Sequence, residues 1–110
     1  KIVGPAITKE LYFTGRRVYA EEALRLGLAN KVVEDAELPT ATMELATAIA
    51  NGPPVAIRYM KENINRTTVT DFRTCLDWEA DRLVRCGRTD DHKEGVTAFL
   101  EKRRPRFKGN

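Results

Sequence analysis

The sequence of 110 residues has no serine, one histidine and two cysteines. A serine–histidine–aspartate triad is therefore excluded, because its nucleophile is missing. The single histidine also argues against structural zinc, which takes four nitrogen or sulfur ligands, and no metal site is predicted. No glycine-rich phosphate loop follows a predicted strand. No run approaches the ~20 apolar residues of a membrane span, so no membrane association is predicted.

The two cysteines, Cys75 and Cys86, lie eleven residues apart, which is close to three helical turns. On one helix their Cα atoms would be roughly 16 Å apart, which is too far for a disulfide. We therefore predict buried, reduced thiols in a cytosol-like compartment. A catalytic pair of Cys86 with His92 is conceivable, but a buried thiol and a surface imidazole are the favoured interpretation.

The composition is that of a soluble globular domain, with 42% hydrophobic and 32% charged residues. This length corresponds to one domain or part of one. A chain this short buries a smaller fraction of its surface than a longer one, so it has little stability in reserve. If the chain is part of a larger fold, the surface that meets the missing part should be apolar.

The net charge is +3, and the basic excess is local. Basic side chains crowd the last nine residues, at Lys102, Arg103, Arg104, Arg106 and Lys108. Such a tail can serve a phosphate group, a nucleic acid or an acidic partner. Charge alone favours a solvated, partly frayed terminus.

Apolar positions repeat at three- and four-residue spacing along most of the chain, which predicts a mainly α-helical fold. The predicted helices begin near Pro5, Ala20, Leu38, Pro54, Phe72 and Asp90. Glycine and proline mark most of their ends, as at Gly15, at residues 51–54 and at Pro105. Residues 28–33 form a short apolar run that is predicted to be extended or to form a β bridge.

Four side chains of the last two predicted helices are candidates for a role beyond packing. Glu79 lies on the apolar stripe of its helix, so an ion pair with Arg82 or with another helix is favoured over a catalytic role. Trp78 lies on a face that is not plainly core, so it is predicted to meet another chain or a missing part of the protein. Asp90 and Asp91 are adjacent and point apart on a helix, which predicts cap and solvent residues.

Phe99 and Lys102 are three residues apart, so they are predicted to share a face of the last helix. An aromatic ring can stack on a nucleotide base, and an ammonium group beside it can bind a phosphate. Spacing alone still favours the simpler interpretation, which is a core phenylalanine with a solvated lysine nearby.

Several stretches, in order and in register, resemble the C-terminal portion of the enoyl-CoA hydratase/isomerase (crotonase) family. They are ELYFTG at 10–15 with AEEALRLGLANKVV at 20–33, GPPVA at 52–56 followed by Lys61, TDDHKEG at 89–95, AFLEKR at 98–103 and PRFK at 105–108. Together they cover essentially the whole chain. Tyr19 departs from the family pattern, because a small polar or acidic cap is common there, and the weaker cap is expected to cost about 1 kcal/mol.

The resemblance implies the C-terminal helical (trimerisation) domain of a ClpP/crotonase-like α/β fold, without the N-terminal ββα spiral core. Residues 1–33 would end the core region, and residues 34–110 would form a helical domain that covers the active site, contacts CoA and oligomerises. The activity it favours is addition of water across the 2,3 double bond of enoyl-CoA thioesters, as in fatty acid β-oxidation. In the family, two catalytic glutamates and the oxyanion hole belong to the N-terminal part. The resemblance therefore implies no catalytic residue in this chain and no activity for the chain alone.

The resemblance also implies partners and a coenzyme contact. It predicts acyl-CoA as substrate, no cofactor, an N-terminal crotonase half on the same or a separate chain, and a homotrimer or hexamer. The expected compartment is the cytoplasm, or the mitochondrial matrix in a eukaryote. Phe99 and Lys102 match family positions that approach the CoA adenine and its 3′-phosphate, often from a neighbouring subunit.

Two alternatives stay open at this point. One is another crotonase-family activity, such as enoyl-CoA isomerase, decarboxylase or thioester hydrolase, because those activities depend on residues outside this sequence. The other is a free-standing helical interaction module without activity. Contact with RNA through the basic tail, Phe99 and Phe107 is disfavoured, since no RNA-binding motif is present.

Overall fold

The computed structural model describes residues 2–110, and that part of the chain is built from helices. The elements are α1 (Gly4–Thr14), α2 (Ala20–Arg25), a 3₁₀ helix (Asp35–Glu37), α3 (Leu38–Ala50), α4 (Pro54–Arg66), α5 (Phe72–Gly87) and α6 (Asp90–Leu100). No strand occurs between residues 2 and 110, which confirms the mainly α prediction. Residues 28–33 form no β bridge there.

The chain divides into two compact units, and the division falls between Met43 and Glu44, inside α3. The predicted boundary between a core region and a helical domain, at residues 33 and 34, concerns the organisation of the whole family fold. It stays a prediction.

The first unit begins with α1, in which Pro5 occupies the first turn as predicted. The helix ends at Gly15, whose φ of 61° is left-handed and whose N–H donates to the Leu11 carbonyl at 3.0 Å. Arg16 follows and joins two helices of this unit. Its guanidinium donates to Glu10 at 2.8 Å and, through both terminal nitrogens, to Glu22 at 2.8 Å. The bond from Arg16 holds the pKa of Glu22 below its ordinary value.

Helix α2 begins without a side-chain cap. Tyr19 occupies the N-cap position in an extended conformation, and its side chain makes no capping hydrogen bond. Two acidic residues in the first turn, Glu21 and Glu22, still complement the positive end of the helix dipole. The structural part of the prediction for Tyr19 is therefore confirmed, and its energetic cost remains to be measured.

The second unit contains α4, α5 and α6, and α5 packs against both of the others. The predicted stop and restart between α3 and α4 is confirmed, because α4 begins at Pro54. Asp71 caps α5 by accepting from the Thr74 N–H at 3.0 Å, and this bond lowers the pKa of Asp71. Thr89 caps α6 by accepting from the His92 N–H at 3.1 Å.

Polar contacts connect α5 to α4, but they do not involve Glu79, the acid for which an ion pair was predicted. The mostly buried guanidinium of Arg82 donates to Glu62 at 2.9 Å. Glu79 is exposed and forms no ion pair within residues 2–110, so its predicted pairing was wrong. The Trp78 ring lies under the guanidinium of Arg66, 4.8 Å from its centroid, which is a cation–π contact.

The hydrophobic interior of the described residues is thin. Ala98, at 1% exposure, is their one buried hydrophobic side chain. Large apolar side chains are open in both units, for example Phe13 at 83% and Phe72 at 78% exposure. Cys75 and Cys86 are free thiols, as predicted, but both are partly exposed rather than buried. Since burial of apolar surface is the main driving force of folding, these faces need covering.

Candidate functional site

The C-terminal end of α6 carries the two residues that the sequence singled out, Phe99 and Lys102. The helix ends at Leu100, and Lys102 takes a left-handed conformation with φ of 53°. The Arg103 N–H donates to the Ala98 carbonyl at 3.0 Å, and the Lys102 N–H donates to the Phe99 carbonyl at 3.2 Å. This pair of bonds is a Schellman motif, in which glycine usually occupies the left-handed position.

Two predictions for this region were therefore wrong in detail. Pro105 does not end the helix, because the chain has already reversed at Lys102. For the same reason Lys102 does not share a helical face with Phe99. The two residues stay neighbours through the main-chain bond between them, and the reversal directs the rest of the chain back along α6.

The side chains of this end are open to a ligand. Phe99 is 82% exposed, so within this chain it is not the core residue that spacing favoured. Lys102 is exposed and forms no ion pair within residues 2–110. Arg103, its neighbour, is occupied: its guanidinium binds both Glu94 and Glu101. Phe99 and Lys102 thus present an exposed ring and an ammonium that forms no ion pair within the described residues.

Beyond the reversal, the tail of residues 103–110 is fastened to α6 by two acidic side chains. Asp91 is 3% exposed and accepts from the Lys108 N–H at 2.6 Å and from the Gly109 N–H at 2.8 Å. The main-chain oxygen of Asn110 accepts in return from the Asp90 N–H at 2.9 Å. Asp91 was predicted to be a solvent residue, and that prediction was wrong because the tail covers it.

Glu94 forms the second fastening point, one helical turn after Asp91. Its carboxylate accepts from the Arg103 guanidinium at 2.6 and 2.9 Å and from the Arg106 N–H at 2.8 Å. The Arg103 bonds first, and then the Arg106 N–H, lower the pKa of Glu94 from 4.5 to about 2. The same contact raises the pKa of Arg103 above its ordinary value. Both groups are therefore charged at neutral pH.

Little in the sequence predicts this arrangement. Its one signal is that two acids of α6, Asp91 and Glu94, precede a basic tail by a few residues. Main-chain N–H groups of the tail donate to the two carboxylates, and the main-chain oxygen of Asn110 accepts from the N–H groups of Asp90 and Asp91. Residue types do not report such main-chain partners. The tail also brings the Phe107 ring against Gly95, where an added Cβ would lie 3.6 Å from it.

An apolar groove of about 370 Å³ lies beside the fastened tail, and Phe99 and Phe107 form part of its wall. Cys86 and His92 also line it, so the structure brings the alternative catalytic pair to one surface. No hydrogen bond joins their side chains within residues 2–110.

Among residues 2–110, no helix combines the length and apolarity needed to cross a membrane. In the same stretch, no three histidine, cysteine, aspartate or glutamate side chains group in a way that could hold a metal ion.

Comparison with known proteins covers the chain from end to end. The family model described as enoyl-CoA hydratase/isomerase matches residues 1–110. A short-chain-enoyl-CoA hydratase of Clostridium acetobutylicum is 42% identical over 104 residues, which are 94% of this chain and 40% of that protein. A crotonyl-CoA hydratase of Syntrophomonas wolfei is 40% identical over 107 residues, which are 97% of this chain and 41% of that protein.

Solved structures agree with the sequence comparison. An enoyl-CoA hydratase of Bacillus anthracis superposes with a TM-score of 0.93 at 38% identity, over 99% of this chain and 42% of that one. The chain thus spans about two fifths of the length of the proteins it matches. Its fold corresponds to the C-terminal helical part of the crotonase fold.

Proposed function

The chain belongs to the enoyl-CoA hydratase/isomerase family, and we propose that it is the C-terminal part of an enzyme that hydrates enoyl-CoA thioesters. The proposal is carried by the match of residues 1–110 to the family model, together with relatives named as short-chain-enoyl-CoA and crotonyl-CoA hydratases that align with 94% and 97% of the chain. The relatives' names point to short acyl chains. The proposed compartment is the cytoplasm, or the mitochondrial matrix in a eukaryote.

In this proposal the chain supplies contacts rather than the chemical step. Addition of water to an enoyl thioester needs a general acid, a general base and donors for the enolate oxygen. The family resemblance assigns those groups to the N-terminal part of the fold. The chain would help to bind the substrate, cover the active site and take part in oligomerisation. Alone it would be inactive.

Phe99 and Lys102 are the proposed coenzyme contacts. The exposed Phe99 ring offers a face on which an adenine can stack, which is worth about 1–3 kcal/mol per base. The ammonium of Lys102 would donate to the 3′-phosphate, and no carboxylate competes for it within residues 2–110. Arg103 is an unsuitable candidate, because Glu94 and Glu101 occupy its guanidinium.

The proposed partners are an N-terminal crotonase half and further copies of the enzyme in a trimer or hexamer. The support is the thin core: apolar side chains that are open on α1 and α5, such as Phe13 and Phe72, would be covered by those partners. The same observation disfavours a free-standing helical module, since such a module buries its own core.

The test is turnover of crotonyl-CoA by the full-length enzyme. The proposal expects loss of the enoyl thioester absorbance with formation of 3-hydroxybutyryl-CoA, identified by mass. Isomerisation, decarboxylation or thioester hydrolysis of acyl-CoA substrates without hydration would show that another activity of the family applies.

A further inference from the structure

We infer that Asp91 and Glu94 are positioning residues that fasten the tail to α6 and thereby hold Lys102 where its ammonium can reach a phosphate. The inference rests on the coenzyme contact proposed for Lys102. It assigns a role to two side chains that do not touch the substrate. It also gives a reason why Asp91, an acidic residue of the second unit, is buried.

The first step is the conformation of Lys102. A residue with a Cβ is disfavoured at φ of 53°, so the surrounding structure must hold it there. The main-chain bonds of the Schellman motif hold Lys102 itself, whose N–H donates to the Phe99 carbonyl, and Arg103, whose N–H donates to the Ala98 carbonyl. They do not by themselves fix the path of the chain after Arg103.

The second step is the anchor directly after Lys102. Arg103 makes a two-pronged contact with Glu94 at 2.6 and 2.9 Å, which is the geometry of a guanidinium facing a carboxylate. Glu94 also accepts the Arg106 N–H at 2.8 Å, so one carboxylate fixes two points of the tail. Of two neighbouring cations, Arg103 is therefore the anchor and Lys102 is the free charge.

The third step is the far end of the tail. Asp91 lies three residues before Glu94, on the same side of α6. It accepts from two successive main-chain N–H groups, those of Lys108 and Gly109, and it is 3% exposed. The two acids thus hold both ends of residues 103–109 against one helix, and the tail cannot swing across the exposed end that carries Lys102.

The experiment uses the full-length enzyme and compares two substrates, crotonyl-CoA and crotonyl-3′-dephospho-CoA. The ratio of their kcat/KM values isolates the contribution of the 3′-phosphate. The variants are Lys102→Ala, Glu94→Gln, Asp91→Asn and the double variant of Lys102→Ala with Glu94→Gln. Asp90→Asn is the matched control, because Asp90 is in the same turn but its exposed side chain binds Lys93 instead of the tail.

The expected result is a graded loss of phosphate discrimination. Lys102→Ala should bring the ratio close to one. Glu94→Gln and Asp91→Asn should lower it by about 3- to 10-fold with kcat unchanged, because an unfixed side chain must be ordered on binding. In the Lys102→Ala background, Glu94→Gln should change the ratio no further, since the two act through the same group. Asp90→Asn should match the wild type.

Other outcomes separate the inference from the proposed function. If Lys102→Ala abolishes discrimination but Glu94→Gln and Asp91→Asn keep the wild-type ratio, the positioning role is refuted and the coenzyme contact stands. If the wild type does not discriminate, or Lys102→Ala keeps its ratio, the contact itself is refuted. If Asp91→Asn fails to fold, Glu94→Gln and the double variant decide the question alone.

Discussion

Removal of the Lys102 ammonium separates the two properties that this residue combines, a free charge and a left-handed turn. Lys102→Ala and Lys102→Gly both remove the charge, but only glycine suits a φ of 53°. If Lys102 contacts the CoA phosphate through its charge, as proposed, both variants should bind acyl-CoA poorly. A role confined to the turn predicts that Lys102→Gly is harmless.

The size of the effect follows from the environment of Lys102. Within residues 2–110 no carboxylate pairs with its ammonium, so nothing offsets the loss of a phosphate contact. A hydrogen bond to a charged group contributes about 1.5–3 kcal/mol, which corresponds to roughly 10- to 100-fold in affinity. We expect KM for crotonyl-CoA to rise by that factor in both variants, with kcat changed much less.

Stability should respond differently. The left-handed conformation costs a non-glycine residue about 1–2 kcal/mol, and glycine loses about 0.5–1 kcal/mol in chain entropy on folding. Lys102→Gly should therefore raise the free energy of unfolding by up to about 1.5 kcal/mol, while Lys102→Ala leaves it nearly unchanged.

The assays are steady-state hydration of crotonyl-CoA and urea unfolding of the full-length enzyme. An unchanged KM in both Lys102 variants would refute the phosphate contact. A raised KM in Lys102→Ala alone would show that the lost charge is not the cause, because Lys102→Gly lacks the same charge. Lys102→Arg, which keeps the charge, is the control and should retain most of the affinity.

Three further predictions concern stability of the full-length enzyme. Tyr19→Asp supplies the missing cap of α2 and should raise the free energy of unfolding by about 1 kcal/mol in urea; no change would show that the uncapped end is already satisfied. Gly15→Ala should lower it by about 1 kcal/mol through backbone strain alone, because φ is 61° and no atom lies within 4 Å of the added Cβ. The pKa of Glu94 is lowered from 4.5 to about 2 on folding, so its stabilising effect is present above about pH 4.5 and is lost as the pH falls towards 2. Glu94→Gln should remove that part of the acid sensitivity, and an identical pH profile of unfolding in both proteins would contradict the assignment.

The helices were predictable where local chemistry fixes them. Pro5 and Gly15 bound α1, and the glycine and prolines of residues 51–54 separate α3 from α4. The caps Asp71 and Thr89 are local in the same way, because their side chains accept from N–H groups within the next turn. Each of these signals acts over a few residues, which is the range that a single sequence reports well.

The end of α6 was missed because a distant contact decides it. Residues 101–104 are good helix formers, so the periodic pattern continued to Pro105. The chain instead reverses at Lys102, and the tail that follows bonds to Asp91 and Glu94. Those bonds use main-chain donors up to eighteen residues away, at Gly109. Residue types alone do not show such partners.

The candidate site was found in part, and by two routes. Spacing paired Phe99 with Lys102 but favoured a core phenylalanine, whereas Phe99 is 82% exposed in this chain. The family resemblance supplied the coenzyme role, which stays a proposal. Glu79 shows the opposite error: an apolar stripe suggested a buried acid, but the stripe itself has little to pack against within this chain.

The most direct test of the central claim, that this chain depends on an N-terminal crotonase half for its core and its activity, is a split-enzyme measurement. Residues 1–110 are expressed alone and together with the N-terminal half as a separate chain, and crotonyl-CoA hydration is measured in both. The account predicts no turnover for the chain alone, and co-purification with restored hydration for the pair. Hydration by residues 1–110 alone, or a monomeric chain that melts cooperatively and does not bind the N-terminal half, would contradict it.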